Sequence, residues 1–233
     1  IYLPSEKSHT LDAPVQTVTG APWLFVPMRQ HGGDDAEPIV APGERVVMGQ
    51  TIGRPAGFAS VGAHAPVSGV VRSIESIRLP DGTRGPAVVI ENDQQGDATD
   101  GLDQPQEPGD VTVDNFAQRF ADWGLVQMQP GGMPLHQRLQ IARDNNVDTV
   151  VVNAMESEPY ITADHRLTVE QTLLVALGLA HICRLIGADR GIVAVDHRRP
   201  DEAELLDRLL ADHAEEHGLT LGAALLDHIY PQG

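Results

Sequence analysis

The pattern of apolar residues changes abruptly along this chain, and the change limits the folds open to it. Before residue 93 the apolar runs are short and rich in β-branched residues, and clusters of Gly and Pro separate them. After residue 110 apolar residues recur three or four positions apart. The first pattern is typical of β-strands between tight turns, and the second is typical of helices. The sequence therefore predicts a multidomain α and β protein.

The segment between the two patterns is predicted to be a linker. Residues 92–110 are rich in Gly, Pro, Asp and Gln and contain almost no side chain that could enter a core. We predict a β domain with an N-terminal arm over 1–97, a linker over 98–110 and an α/β domain over 111–233. Neither end of the chain resembles a natural terminus, so we expect the second domain to be truncated at its C-terminal end.

The second domain is predicted to alternate helices with buried strands. The predicted helices cover 114–122, with Asp114 as N-cap, then 135–145, 168–186 and 200–210, and the predicted strands cover 148–153 and 191–196. Thr168 and Gln171 have the spacing of a capping box, which would open the long helix. Alternation of this kind favours a three-layer α/β sandwich.

Composition narrows the partners of the chain. There are 33 acidic and 16 basic residues, and the formal net charge is -17. Such a charge repels nucleic acid and anionic lipid headgroups, so we expect no nucleic-acid partner. The longest apolar stretch, 173–186, is interrupted by polar residues and is too short for a bilayer. We therefore expect no direct membrane span and attachment, if any, through a partner.

The chain has one cysteine, Cys183. One thiol excludes an internal disulfide framework, a four-cysteine zinc site and an iron–sulfur cluster ligated within this chain. It is expected to be a buried thiol without redox function. His213 and His217 are four residues apart beside acidic residues, which could bind a divalent metal, but a solvated helix face is the simpler interpretation. We therefore assign no metal site.

Two segments of the β region have similar sequences. Residues 40–52 read V-A-P-G-E-R-V-V-M-G-Q-T-I, and residues 63–74 read A-H-A-P-V-S-G-V-V-R-S-I. These segments resemble the barrel-sandwich hybrid fold of lipoyl and biotinyl carrier domains. A carrier needs a lysine at a hairpin tip, and Lys7 is the only lysine in the chain. The domain is therefore expected to pack or dock against another subunit and not to carry a cofactor.

Two loops of the second domain could bind a ligand. Asn153, Glu156 and Glu158 follow the predicted strand 148–153, and ligands of such sheets sit at the carboxyl ends of the strands. Gly131 and Gly132 precede a predicted helix, whose N-terminus could bind a phosphate. Each loop also has a purely structural interpretation: the first could cap its neighbours, and the second could be a turn that lets two helices meet.

The amino-acid sequence of the first loop is distinctive. Residues 153–167 read N-A-M-E-S-E-P-Y-I-T-A-D-H-R-L, which resembles the signature loop of the C subunit of the Rnf membrane electron-transport complex. The core N-A-x-E-S-E-P is similar to a loop in the NADH-oxidising flavoprotein subunit of respiratory complex I. Residues 1–7 and 230–233 also resemble the Rnf protein, so the resemblance covers the whole chain.

The resemblance implies a flavoprotein-like α/β domain that binds FMN and takes NADH as substrate. Carried over residue by residue, it places Gly131, Gly132 and Arg138 on the flavin phosphate side, and Asn153, Glu156 and Glu158 near the ring and the nicotinamide. No catalytic residue is assigned. 4Fe-4S clusters are expected only in a C-terminal part beyond this chain.

At the level of the assembly, the resemblance implies a peripheral subunit on the cytoplasmic side of the inner membrane, with the other complex subunits and NAD(H) as partners. Electrons would move between NADH and ferredoxin or another acceptor, coupled to ion translocation.

The second loop departs from the family pattern. The family has a run of glycines ending G-G-A-G-F-P and a lysine soon after, whereas this chain has Gln127, Gln129, Pro130, Met133 and Arg138. Glycines let the backbone approach a cofactor closely, and proline removes a backbone N–H. A non-catalytic scaffold or assembly subunit that no longer binds flavin is therefore the alternative. A sodium-pumping NADH:quinone reductase subunit is a third possibility, which the intact 153–167 loop disfavours.

Overall fold

The computed structural model describes residues 4, 6–18, 20–101, 111–128, 132–156 and 158–227. Its contacts divide the chain into two compact units. We call residues 18–141 the barrel unit, and residues 1–17 together with 142–233 the sheet unit. The predicted domain boundaries at 97 and 110 stay a prediction, because residues 102–110 lie outside the described residues. So do residues 1–3, 5 and 230–233, which carry part of the family resemblance.

The described residues of the barrel unit form seven strands: β1 (Trp23–Pro27), β2 (Glu37–Pro38), β3 (Arg45–Val46), β4 (Thr51–Arg54), β5 (Ala63–His64), β6 (Gly69–Arg78) and β7 (Arg84–Asn92). They form two antiparallel sheets, ordered β1-β7-β6-β3 and β2-β4-β5. One core of small and β-branched side chains joins them, including Val46, Ile52, Val71, Val88 and Ile90. The predicted all-β region is confirmed.

The two repeated segments are antiparallel neighbours. Strand β3 of the first segment pairs with β6 of the second, and β4 pairs with β5. Between these pairs Gly49 N–H donates to Ala65 O at 2.8 Å, and Ala65 N–H donates to Gln50 O at 2.9 Å. The two segments of similar sequence are therefore two halves of one β structure, and they pair with each other.

The barrel unit also includes α1 (Phe116–Asp122) and most of α2 (Leu135–Asp144). The N-cap position of α1 is Asn115, so the prediction of Asp114 was wrong by one residue. The end of α1 contacts the barrel, because Gly62 N–H donates to Ala121 O at 2.7 Å. Gly124 then turns the chain with φ +74°, and a Cβ there would lie 2.6 Å from Gly62 O. Only glycine fits this turn without strain.

In the sheet unit, the part of the chain that the structure describes forms three parallel strands and three helices. The strands are β8 (Thr149–Asn153), β9 (Arg190–Asp196) and β10 (Thr220–Leu226), ordered β10-β9-β8. The helices are α3 (Ala163–Glu170), α4 (Thr172–Ile186) and α5 (Pro200–His217), and a short 3-10 turn covers Lys7–His9. The predicted alternation of helix and strand is confirmed as mixed α/β. Cys183 on α4 is buried, and burial raises the pKa of its thiol to about 11.

Several local predictions need correction. Strand β8 is not fully buried: Val151 is 58% exposed, and β8 is an edge strand of the described sheet. Thr168 opens no helix; it lies inside α3, where its hydroxyl donates to Asp164 O at 2.8 Å. A hydroxyl satisfied within its own helix cannot cap the next one. Helix α5 continues past residue 210 to His217 and ends at Gly218, whose φ is +65°.

No single helix among the described residues is long and apolar enough to cross a membrane. Helices α3 and α4 together meet that test of length and composition, but they are bent by 93° where they join.

Candidate functional site

The carboxyl ends of β8, β9 and β10 form one edge of the sheet unit. Because the strands are parallel, Asn153 aligns with Ala194, and Leu226 aligns with Asp196. Polar residues collect at this edge, where ligands of parallel sheets bind. The loop that follows β8 begins there, and we take it as the centre of the candidate site.

Glu156 is the buried carboxylate of this loop. It is 4% exposed, and its Oε1 accepts a hydrogen bond of 2.8 Å from Asp164 N–H at the start of α3. Its Oε2 is buried with no hydrogen-bond donor among the described residues. Burial raises the pKa of Glu156, since a carboxylate loses hydration there, while the Asp164 N–H and Lys7 oppose the shift. This oxygen therefore depends on a nearby cation or on a proton to offset its burial.

Lys7 reaches this loop from the N-terminal arm. Its ammonium donates to Glu158 O at 2.9 Å and to Ile161 O, and it lies 3.9 Å from Glu156 Oε2. Burial lowers the pKa of Lys7, and Glu156 opposes that shift. Further along the arm, Thr10 donates to Tyr160 O at 3.1 Å. The arm thus fixes the backbone of the acidic loop at several points.

A second titratable pair joins α3 to α5. His165 Nδ1 lies 2.7 Å from Glu202 Oε1, and both side chains are largely buried. Burial raises the pKa of Glu202 to about 7, although Arg199, with Nε 3.8 Å from Glu202 Oε1, favours its charged form. Burial also lowers the pKa of His165. Glu202 can therefore hold or release a proton near neutral pH.

The other two residues predicted in this loop have different surroundings from Glu156. Asn153 and Glu158 are exposed. The side-chain oxygen of Asn153 accepts a hydrogen bond of 3.0 Å from Met155 N–H, which tightens the turn after β8. The loop therefore presents one exposed amide and one exposed carboxylate around one buried carboxylate. These groups suit hydrogen bonds to hydroxyl and carboxamide groups of a ligand.

The glycine-bearing loop belongs to the barrel unit. Gly131 lies outside the described residues, together with Gln129 and Pro130. Gly132 is half-buried, and its carbonyl accepts a hydrogen bond of 2.6 Å from Gly32 N–H. Gln127 N–H donates to Met133 O at 2.8 Å, so this amide is used within the loop. Arg138 is exposed on α2.

This loop forms one wall of a cleft of 680 Å³ in the barrel unit. The lining includes Arg29, His31, Leu79, Gln127, Met128 and Gly132. Both ring nitrogens of His31 are buried without a hydrogen-bond partner among the described residues, and burial lowers its pKa. The volume falls within the range of about 300–1,000 Å³ that is usual for small-molecule sites.

The sequence predicted part of this site. The acidic loop was identified because polar residues follow a strand directly. The structural role of Lys7 and the pairing of His165 with Glu202 were missed, because these contacts join distant parts of the chain. The one feature of the sequence that could have indicated a role for Lys7 is that it is the only lysine in the chain.

Two family models match the chain. The model described as the RnfC barrel sandwich hybrid domain matches residues 1–95, and the model described as the Nuo51 FMN-binding domain matches residues 120–233. The second match includes both loops of interest. Together the two models account for the β region and for the mixed α/β region that follows it.

Among curated proteins, the chain is similar to the C subunits of ion-translocating complexes. It is 33% identical to the C subunit of the Na(+)-translocating ferredoxin:NAD(+) oxidoreductase complex of Acetobacterium woodii, over 100% of this chain and 52% of that protein. It is 27% identical to the C subunit of the proton-translocating ferredoxin:NAD(+) oxidoreductase complex of Clostridium ljungdahlii, and the match covers 100% of this chain and 50% of that protein. It is 27% identical to the C subunit of the ion-translocating oxidoreductase complex of Rhodobacter capsulatus, and the match covers 100% of this chain and 44% of that protein. The chain thus spans about half the length of these relatives.

Proposed function

The chain belongs to the family of Rnf complex C subunits, and from this premise we propose that it passes electrons between NADH and a second acceptor by way of FMN. The acceptor is ferredoxin or another carrier, reached through iron–sulfur centres outside this chain. The protein would act as a peripheral subunit on the cytoplasmic face of a membrane complex that translocates ions. The relatives from Acetobacterium woodii and Clostridium ljungdahlii differ in the ion they carry, so the proposal leaves the ion open.

The buried carboxylate of Glu156 carries this proposal. A carboxylate oxygen without a hydrogen-bond donor in a protein interior is costly, and the Lys7 ammonium 3.9 Å from Glu156 Oε2 offsets its charge without donating a hydrogen bond to it. Glu156 lies at the carboxyl edge of a parallel sheet, in the part of the chain matched by an FMN-binding domain model. A ligand donor that reached Glu156 Oε2 would supply the missing hydrogen bond.

The residues of this chain suit a flavin and a nicotinamide nucleotide. We assign Asn153 and Glu158 to hydrogen bonds with the exposed side of the bound nucleotide, and Glu156 to the inner side. Gly131, Gly132 and Arg138 are assigned to the flavin phosphate, where a guanidinium can form two parallel hydrogen bonds. When bound, FMN supplies a hydride acceptor that can release electrons one at a time.

The barrel unit is proposed to dock against other subunits of the complex. Trp23 and Phe25 on the edge strand β1 are about half exposed, and Phe58 is 63% exposed. Aromatic side chains are enriched in the cores of protein interfaces. Lys7 lies outside this unit, and the chain has no other lysine, so a lipoyl or biotinyl group cannot be attached to it.

The alternative is a scaffold subunit that keeps the fold but binds no flavin. One observation favours it: Gln127 occupies the expected glycine run, and its N–H is already bonded to Met133 O. An amide used within the loop is not available to a phosphate. The two functions differ in one measurable property, the affinity for FMN.

The experiment is a titration of FMN against the purified protein in its full natural length, followed by quenching of flavin fluorescence. The flavin proposal predicts saturable binding of one FMN, and Arg138→Gln weakens it by tenfold or more, which corresponds to about 1.4 kcal/mol. Arg143→Gln removes the same charge at the far end of α2 and leaves the affinity unchanged. Absence of binding would support the scaffold instead.

A further inference from the structure

The last turn of α5 brings three potential metal ligands together. His213, Glu216 and His217 each offer one ligand atom, and these atoms lie within 4.8 Å of one another. Among the described residues this is the group with metal-ligand spacing. We propose that it is a binding site for a divalent transition metal ion, independent of the flavin function.

The distances are close to those of a metal centre. His213 Nδ1 lies 3.8 Å from Glu216 Oε2, and His217 Nε2 lies 3.7 Å from the same oxygen. Two ligands that bind zinc tetrahedrally at about 2.0–2.1 Å lie roughly 3.3 Å apart. The two His–Glu separations exceed this spacing by only about half an ångström, a difference that rotation about side-chain bonds can change.

The location of the group favours a cation. Helix α5 is 18 residues long, and its C-terminal end carries the negative pole of the helix dipole. The neighbouring Asp212 and Glu215 add negative charge. A cation at this turn therefore meets a favourable field from the backbone and from the adjacent side chains.

The ligand types select the kind of ion. Two imidazoles and one carboxylate suit zinc, nickel or copper, whereas magnesium and calcium prefer oxygen ligands alone. Both imidazoles are only 20% exposed, so their packing limits their rotamers, while Glu216 is 66% exposed and can close over an ion. Three protein ligands leave at least one coordination position to water.

The test is calorimetric titration of Zn²⁺ into the metal-free 233-residue chain, with Mg²⁺ as a comparison. One equivalent of Zn²⁺ is expected to bind, and Mg²⁺ is not. His213→Ala and His217→Ala should each weaken Zn²⁺ binding by tenfold or more, and Glu216→Gln by a smaller factor. His9→Ala removes an exposed histidine elsewhere in the same unit and should change nothing.

Far-UV circular dichroism of each variant shows whether α5 is intact, so a loss of binding can be separated from a loss of fold. The proposal is overturned if Zn²⁺ does not bind, or if it binds to the intact His213→Ala and His217→Ala variants as tightly as to the parent. Equal binding by Glu216→Gln would overturn the three-ligand site.

Discussion

Lys7 Nζ lies 3.9 Å from Glu156 Oε2, and the two side chains are only 5% and 2% exposed. The only lysine of the chain is therefore buried against the central carboxylate of the candidate site. Its hydrogen bonds to Glu158 O and Ile161 O fix the backbone on the far side of the same loop. The N-terminal arm is thus part of the site and not a passive extension.

Replacing Lys7 with methionine should destabilise the protein by roughly 3 kcal/mol, because removal of one partner leaves a buried charge and two carbonyls unsatisfied. The measurement is urea unfolding at pH 7. Glu156→Gln keeps the shape of the partner and removes its charge. In the double variant Lys7→Met/Glu156→Gln, the loss should be clearly smaller than the sum of the two single losses. Strict additivity would show that the two residues do not interact.

Glu202 should make stability depend on pH. Burial raises its folded-state pKa to about 7, whereas the ordinary value is 4.5. The folded protein therefore holds this proton more tightly than the unfolded chain, so its stabilising effect is complete below pH 4.5 and disappears as pH rises through 7. The effect amounts to at most about 3 kcal/mol.

Glu202→Gln tests this dependence, because glutamine does not titrate. The free energy of unfolding of the variant should lack the decline that Glu202 gives the parent between about pH 4.5 and 7.5. The lowered pKa of His165 acts in the opposite direction near its own range, so the comparison of variant with parent is the informative quantity. An identical pH profile in both proteins would contradict the prediction.

Gly124 should tolerate no side chain. It has φ +74°, and a Cβ would lie 2.6 Å from Gly62 O, so alanine meets both backbone strain and a clash. Gly82 has φ +85° with nothing within 4 Å of the same position. Gly82→Ala should cost about 1 kcal/mol from the backbone alone, and Gly124→Ala at least about 2 kcal/mol. If thermal or urea unfolding gave equal losses of stability for the two variants, the loop would have to rearrange around Gly124 to remove the clash.

The sequence predicted the acidic loop because its signal is local: a β-branched strand followed at once by Asn153, Glu156 and Glu158. It could not predict the contact of Lys7 with Ile161, which are 154 residues apart. Strand β10 was missed since its residues 222–224, Gly-Ala-Ala, have little β propensity, and its pairing with β9 decides its structure. The prediction of a capping box at Thr168 failed for a similar reason. The local sequence matches a capping box, but in the folded chain the Thr168 hydroxyl donates to Asp164 O instead.

We propose that this chain holds a flavin that exchanges electrons with NADH. The most direct measurement is anaerobic mixing of the FMN-loaded protein, in its full natural length, with NADH, followed by the visible absorbance of the flavin. We expect that the absorbance bleaches and that Glu156→Gln slows the bleaching more than Glu158→Gln. A protein that takes up no FMN, or whose bound FMN stays oxidised when NADH is added, would contradict the claim.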